Sequence, residues 1–174
     1  VRTAASIASR HPDARFVLVG DGPERPEIER AIAKAGMRDA FVMTGSRSDI
    51  VDCLSAFDVF LMTSRMEASP VSILEALGCS RPVVSTDVGS ISEAVQPGVT
   101  GFLASVDDDL GLADRVCELL ISDERRETIG QAGRVWVERY GSLSTMVRGY
   151  ERLIESIYDT KSGSRSIGRV RRID

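Results

Sequence analysis

Short apolar runs in this chain stop at tight turns and give way to stretches of helical period. The runs are Arg15 to Gly20, Ala40 to Met43, Asp58 to Thr63, Val83-Val84 behind Pro82, and Gly101 to Ala104. Their length and bounding turn residues mark strands rather than helices. Helical spacing of apolar residues fills Val1 to Arg10, Glu24 to Ala35 (with Gly36 as its stop), Asp49 to Ala56, and Pro70 to about Gly78. Strands alternating with helices predict an α/β fold, a doubly wound parallel sheet with helices on both faces. Further helices are expected over Asp107 to Ile121, Asp123 to Tyr140 and Ser142 to Tyr158. Asp107 to Asp109 supply acidic caps for the first, and Met146, Tyr150, Leu153, Ile154 and Ile157 share one side of the last.

In such sheets ligands bind beyond the carboxyl ends of the strands. The turns that follow strands here are Gly20-Asp21-Gly22, Thr44-Gly45-Ser46, Glu67-Ala68-Ser69 and Asp87-Val88-Gly89, and they are expected on one edge. The stretch from Ser64 to Glu93 is the most informative. Ser69 is placed to N-cap a helix and Pro70 to open it. The helix start exposes the N–H groups of Val71 and Ser72, whose partial positive charge suits a phosphate or diphosphate. Glu67 stands before the turn and Glu75 inside the helix. A carboxylate only accepts hydrogen bonds, so the pair suits the hydroxyls of a sugar and a ribose on either side of a diphosphate. A nucleotide-sugar fits this combination better than a free nucleotide.

Bulk properties narrow the classes. At 174 residues with net charge −4 the chain has the composition of an ordinary soluble domain. From Lys161 to Asp174 five basic residues stand against one acidic, so the rest of the chain carries −8. A body this acidic argues against nucleic-acid binding. The basic segment 161–174 is expected to be a disordered tail. Cys53, Cys79 and Cys117 lack metal-ligand spacing and are expected as small buried residues in a reducing compartment. His11 is expected on the surface, and Trp136, Tyr150 and Tyr158 in packing. The chain opens at Val1, inside a helical pattern, and is expected to be a piece of a longer protein.

These residues resemble the carboxyl-terminal half of the family 4 (group 1) retaining glycosyltransferases, which have the two-domain GT-B fold. The resemblance rests on Glu67 and Glu75 with seven residues between, on Ser80-Arg81-Pro82-Val83, and on Gly89-Ser90-Ile91-Ser92-Glu93. Pro12 to Pro23, Ala56 to Ser64 and the helical ending up to Tyr158 match as well, so nearly everything but the tail is covered. The resemblance implies a Rossmann-like nucleotide-sugar donor-binding domain over residues 1–160. It implies transfer of a sugar from a UDP- or GDP-linked donor with retained anomeric configuration, without a cofactor or metal. Carried over, Glu67 is catalytic and faces the donor sugar, and Glu75 takes the ribose. Ala68, Ser69, Val71 and Ser72 hold the sugar and diphosphate. Gly20, Asp21, Gly22, Thr44, Gly45 and Ser46 border the base. The implied partners are the donor and an amino-terminal acceptor domain, without which the fragment is expected to be inactive. A cytoplasmic location is expected, with peripheral contact at the inner membrane face open for the parent protein.

Three positions depart from the family pattern. Ala68 stands where a glycine usually follows the first Glu, and an L-residue there resists positive φ. Ser80 and Ser90 replace two further glycines. Two other readings remain at this level. One is an epimerase or phosphorylase of the same fold, and the other is a degenerate, non-catalytic nucleotide-sugar module. Asp58 at a strand start, with no following Lys in the sheet region, argues against a receiver domain.

Overall fold

A computed structural model describes residues 1–162. Of the expected disordered tail, Lys161 and Ser162 are helical, and the residues from Gly163 onward lie outside the described residues. The chain divides into a unit of Val1–Glu138 and a second from Arg139.

In the first unit the order is α1 (Arg2–Ala8), β1 (Phe16–Val19), α2 (Arg25–Lys34), β2 (Phe41–Gly45), α3 (Ile50–Ser55), β3 (Phe60–Met62), α4 (Val71–Gly78), β4 (Val83–Thr86), α5 (Ile91–Ala94), β5 (Gly101–Ala104), α6 (Asp109–Leu120) and α7 (Asp123–Trp136). Every strand pair is parallel, as alternating strands and helices require. The strands form two ladders, β1-β2 and β3-β4-β5, where a single sheet was expected. No strand hydrogen-bonds β1 to β3. The two ladders instead share apolar packing, since Phe16 of β1 lies against the same core as Val59 and Leu61.

The expected helices on both faces are present, and β4 shows why. Its residues are all buried, and side chains alternate between faces along a strand. Val84 enters a core with Ile7 of α1, Phe102 of β5, Leu112, Val116 and Leu119 of α6, and Ile129 of α7. Val83 enters the opposite core with Leu54 of α3, Ile73 and Leu77 of α4, and Ile91 of α5. A third cluster of Ala4, Ile32 and Met37 covers β1-β2, where the register partners Phe16 and Phe41 stack at 5.1 Å.

Helix ends follow local chemistry, with one correction. Asp108 caps α6 by accepting from the Gly111 N–H at 2.9 Å, as the acidic run predicted. Ser69 is not the cap of α4. Pro70 occupies that position in an extended conformation, with no side-chain cap. Its φ of −74° suits helix and extended backbone alike, but its ψ of 113° is extended, so the helix begins one residue later than expected. The opening N–H groups of α4 are therefore left without a side-chain acceptor.

At its other end, α4 closes in a Schellman motif. Arg81 N–H bonds the Ala76 carbonyl at 2.9 Å and Ser80 N–H the Leu77 carbonyl at 2.9 Å. Ser80 takes the left-handed position of that motif at φ 55°. Ala68 does not have positive φ; among the described non-glycine residues Ser80 and Asp107 do. The strain expected at Ala68 falls on Ser80 instead.

Helix α7 ends before Tyr140, in a π-turn over Val137–Gly141. Trp136 packs on the α4 core, as expected. Of the cysteines, Cys117 is buried, whereas Cys53 and Cys79 are half-buried. Burial pushes the Cys117 thiol above its ordinary value. His11 is half-buried rather than a surface residue. In the second unit α8 spans Leu143–Ser162, four residues past the expected end. Met146, Tyr150, Leu153, Ile154, Ile157 and Tyr158 are exposed along it, so the tyrosines do not pack as expected. Among the described residues no helix is long and apolar enough to cross a membrane.

Candidate functional site

The turns that follow the strands meet in pairs. In the first ladder Gly20 N–H bonds the Gly45 carbonyl at 2.9 Å, joining the turn after β1 to the turn after β2. Asp21 lies against Gly45 but is engaged within its own turn: it accepts from Gly22 N–H at 2.8 Å and from Arg25 at 3.3 Å. Asp21 is thus a turn residue first. Thr44 donates to the Leu18 carbonyl at 3.4 Å and to the Gly45 carbonyl at 3.0 Å, while Ser46 is exposed.

In the second ladder the loop after β3 is fastened to β4 and the turn behind it. Thr86, a buried hydroxyl at the end of β4, donates to the Ser64 carbonyl at 2.6 Å. Ser64 Oγ in turn donates to Glu67 Oε1 at 2.7 Å, and Glu67 is half-buried. Ser90 grips the Ala68 carbonyl twice, through its N–H at 3.1 Å and its hydroxyl at 2.9 Å. Gly89 makes that grip geometrically feasible. Its φ is +60°, and a Cβ there would stand 2.2 Å from the Glu67 carbonyl oxygen.

Glu67 is thus a carboxylate presented in the loop that follows β3, five residues beyond Met62 and four before the first residue of α4. Along α4, Ile73, Ala76 and Leu77 are buried, which turns Val71 and Glu75 outward on one face. Glu75 forms no side-chain hydrogen bond or ion pair among the described residues. Ser72 turns inward to the Met62 sulfur at 3.9 Å, so its hydroxyl is directed to the core and only its N–H remains for a ligand. Ser69 is exposed. The structure therefore joins Glu67, Ala68 and the α4 start into one surface, and Gly20 to Gly45 into another. No hydrogen bond among the described residues connects the two surfaces directly.

Ser64, Thr86 and Ser90 are members of this site that sequence reasoning missed. Thr86 had a signal, since Ser85 and Thr86 follow Val83-Val84 as polar residues at the end of β4. A cleft of about 310 Å³ beside Thr63, Arg65 and Thr86 borders the loop, and another of about 370 Å³ lies beside Asp87, Ser105 and Arg115. Neither is lined by Glu67 or Glu75.

The sequence and the fold have known counterparts. The profile of the family described as "Glycosyl transferases group 1" matches residues 1–122. The chain belongs to the group 1 glycosyltransferases. It is 32% identical over 152 residues to the N-acetyl-alpha-D-glucosaminyl L-malate synthase of Bacillus anthracis, covering 87% of this chain and 40% of that protein. Its fold matches the UDP-glucose complex of HepE from Anabaena with a TM-score of 0.76 at 26% identity, over 88% of this chain and 44% of that one. The C-terminal domain of LpcC, a group 1 family protein of Francisella tularensis, matches in fold with a TM-score of 0.74 at 22% identity, over 82% of this chain and 77% of that domain. This chain therefore spans less than half the length of the synthase it matches. The doubly wound layer is that of the GT-B glycosyltransferases.

Proposed function

We propose that residues 1–160 are the donor-binding domain of a retaining, hexosyltransferase-type enzyme using a UDP- or GDP-linked sugar. The observation that carries this reading is the placement of Glu67. A carboxylate is held by Ser64 in the loop after β3, ahead of a helix start without a side-chain cap. The N–H groups of Val71 and Ser72 at that start face the donor diphosphate and stabilise the negative charge that builds on it as the sugar leaves. Glu67 meets the sugar, and Glu75, outward on the same helix, meets the ribose. The Gly20–Gly45 surface borders the base. HepE, similar in fold, was solved with UDP-glucose, which supports a nucleotide-sugar as the ligand class.

In this reading the donor site needs neither metal nor cofactor, because helix-end amides and basic side chains meet the diphosphate. The acceptor is held by an amino-terminal domain of the parent protein, and the isolated chain binds donor weakly and transfers nothing. Calorimetric titration with UDP, GDP and ADP, then with their sugar conjugates, tests the proposal. Selective binding of one base, tightened by its sugar, is expected. Affinity indifferent to the base would overturn the donor-site reading, and inverted configuration in the parent enzyme's product would overturn retention.

A further inference from the structure

The loop that carries Glu67 draws its tethers from β4, from the turn behind β4, and from itself, with one exception. Arg65 reaches away from that group and donates to Asp107 Oδ1 at 2.7 Å, in the turn between β5 and α6. The same oxygen lies 3.5 Å from the guanidinium of Arg2 on α1. Asp107 is the third residue of a turn closed by Asp108 N–H on the Ser105 carbonyl at 3.1 Å, and its φ is +66°. A turn with positive φ at the third position alone takes glycine without steric cost. Aspartate there is strained, and strain of this kind persists where the side chain has a task. The carboxylate is what glycine would lack.

We propose that Asp107 is a positioning residue, which through Arg65 fixes the Glu67 loop to the β5–α6 turn. Its functional meaning rests on the reading of Glu67 above, while the tether itself does not. The side chains of Arg65 and Asp107 are 72% and 55% exposed, so solvent screens the pair and it adds little to global stability. Its effect is local. It adds a hold on the loop from the β5–α6 turn, beside those that Thr86 and Ser90 supply.

Hydrogen exchange of this chain and its variants tests the tether. In Asp107→Gly, which relieves the turn while removing the carboxylate, the Ser90 amide, which bonds the loop's Ala68 carbonyl, is expected to exchange about 1.5- to fivefold faster, the range an exposed ion pair supports. Exchange across β4 and the melting temperature should not worsen. Arg65→Ala should reproduce the effect and Arg65→Lys should largely reverse it. Unchanged exchange of the Ser90 amide in Asp107→Gly overturns the proposal. So does faster exchange spread over the whole unit, or a Lys variant no better than Ala. Wild-type turnover of Glu67→Ala in the parent enzyme would sink the Glu67 reading while leaving the tether intact.

Discussion

Gly89→Ala is the most informative single perturbation of the site, because its cost has two separable sources. The residue sits at φ +60°, where an L-residue costs about 1–2 kcal/mol. Its new Cβ would also stand 2.2 Å from the Glu67 carbonyl oxygen and 2.9 Å from that of Ala68. Both neighbours are backbone, so no rotamer change relieves the overlap, and overpacking of this kind costs about 1–3 kcal/mol. Together the loss is about 2–5 kcal/mol, or a melting temperature lower by about 5–15 °C for a chain of this size. If the loop yields instead, the melting shift shrinks and the Ser64–Glu67 and Ala68–Ser90 contacts part. Scanning calorimetry paired with hydrogen exchange of the Ser90 amide, which bonds the loop at Ala68, separates the outcomes. Gly22→Ala is the internal control: its Cβ meets nothing within 4 Å, and it should shift melting far less. A Gly89→Ala variant that melts within about 1 °C of wild type with unaltered exchange of the Ser90 amide would refute the reasoning.

Ser80→Gly should raise stability by about 0.5–1 kcal/mol, the left-handed cost less the extra chain entropy of glycine, read as a higher urea midpoint at unchanged slope. Glu75→Ala should weaken nucleotide binding by about 1.5–3 kcal/mol through loss of a charge-assisted hydrogen bond, and unchanged affinity in titration would remove Glu75 from the site. Glu67→Ala should leave nucleoside diphosphate affinity nearly intact yet abolish turnover in the parent enzyme, checked by assaying both on one preparation. Hydrogen bonding from Arg2, joined by Thr3, holds the Asp109 carboxyl below its ordinary 3.8. Its stabilisation is therefore present above the unfolded value and lost as pH falls through the folded one, so Asp109→Asn should flatten the acid limb of a melting-against-pH curve.

The parts that were legible in the sequence are those with a local cause. Period alone separates Phe16–Val19 from Arg25–Lys34, and parallel pairing follows from the helices between strands. The acidic cap at Asp108 and the stop at Gly36 are likewise written in adjacent residues. What escaped depends on distant partners or on backbone angle. Ser69-Pro70 reads as cap and first turn, yet the proline itself took the boundary. Ala68 and Ser80 both stand where a glycine was expected, and only the Schellman closure decides which of them is left-handed. The break between β1 and β3 is a matter of ladder pairing, for which neither strand carries a signal of its own.

The same distinction explains how the candidate site is held. Its loops are fastened to neighbouring loops more than to the helices they introduce: Gly20 to Gly45, Ala68 to Ser90, Arg65 to Asp107. Each fastening spans more than twenty residues of sequence and consists of hydrogen bonds. Substitutions in the cores should therefore change stability while leaving loop geometry largely in place, whereas substitutions at the loop contacts should do the reverse. Leu77→Ala separates the two. Leu77 is fully buried against Gly133, whose added Cβ would stand 2.6 Å from its side chain, so truncation should cost about 2–5 kcal/mol. Nucleotide-sugar affinity measured well below the melting transition should nevertheless stay within about twofold of wild type, since additivity holds for sites without shared partners. A large affinity loss in Leu77→Ala, at a temperature where the chain is fully folded, would show that α4 packing rather than loop-to-loop bonding sets the site.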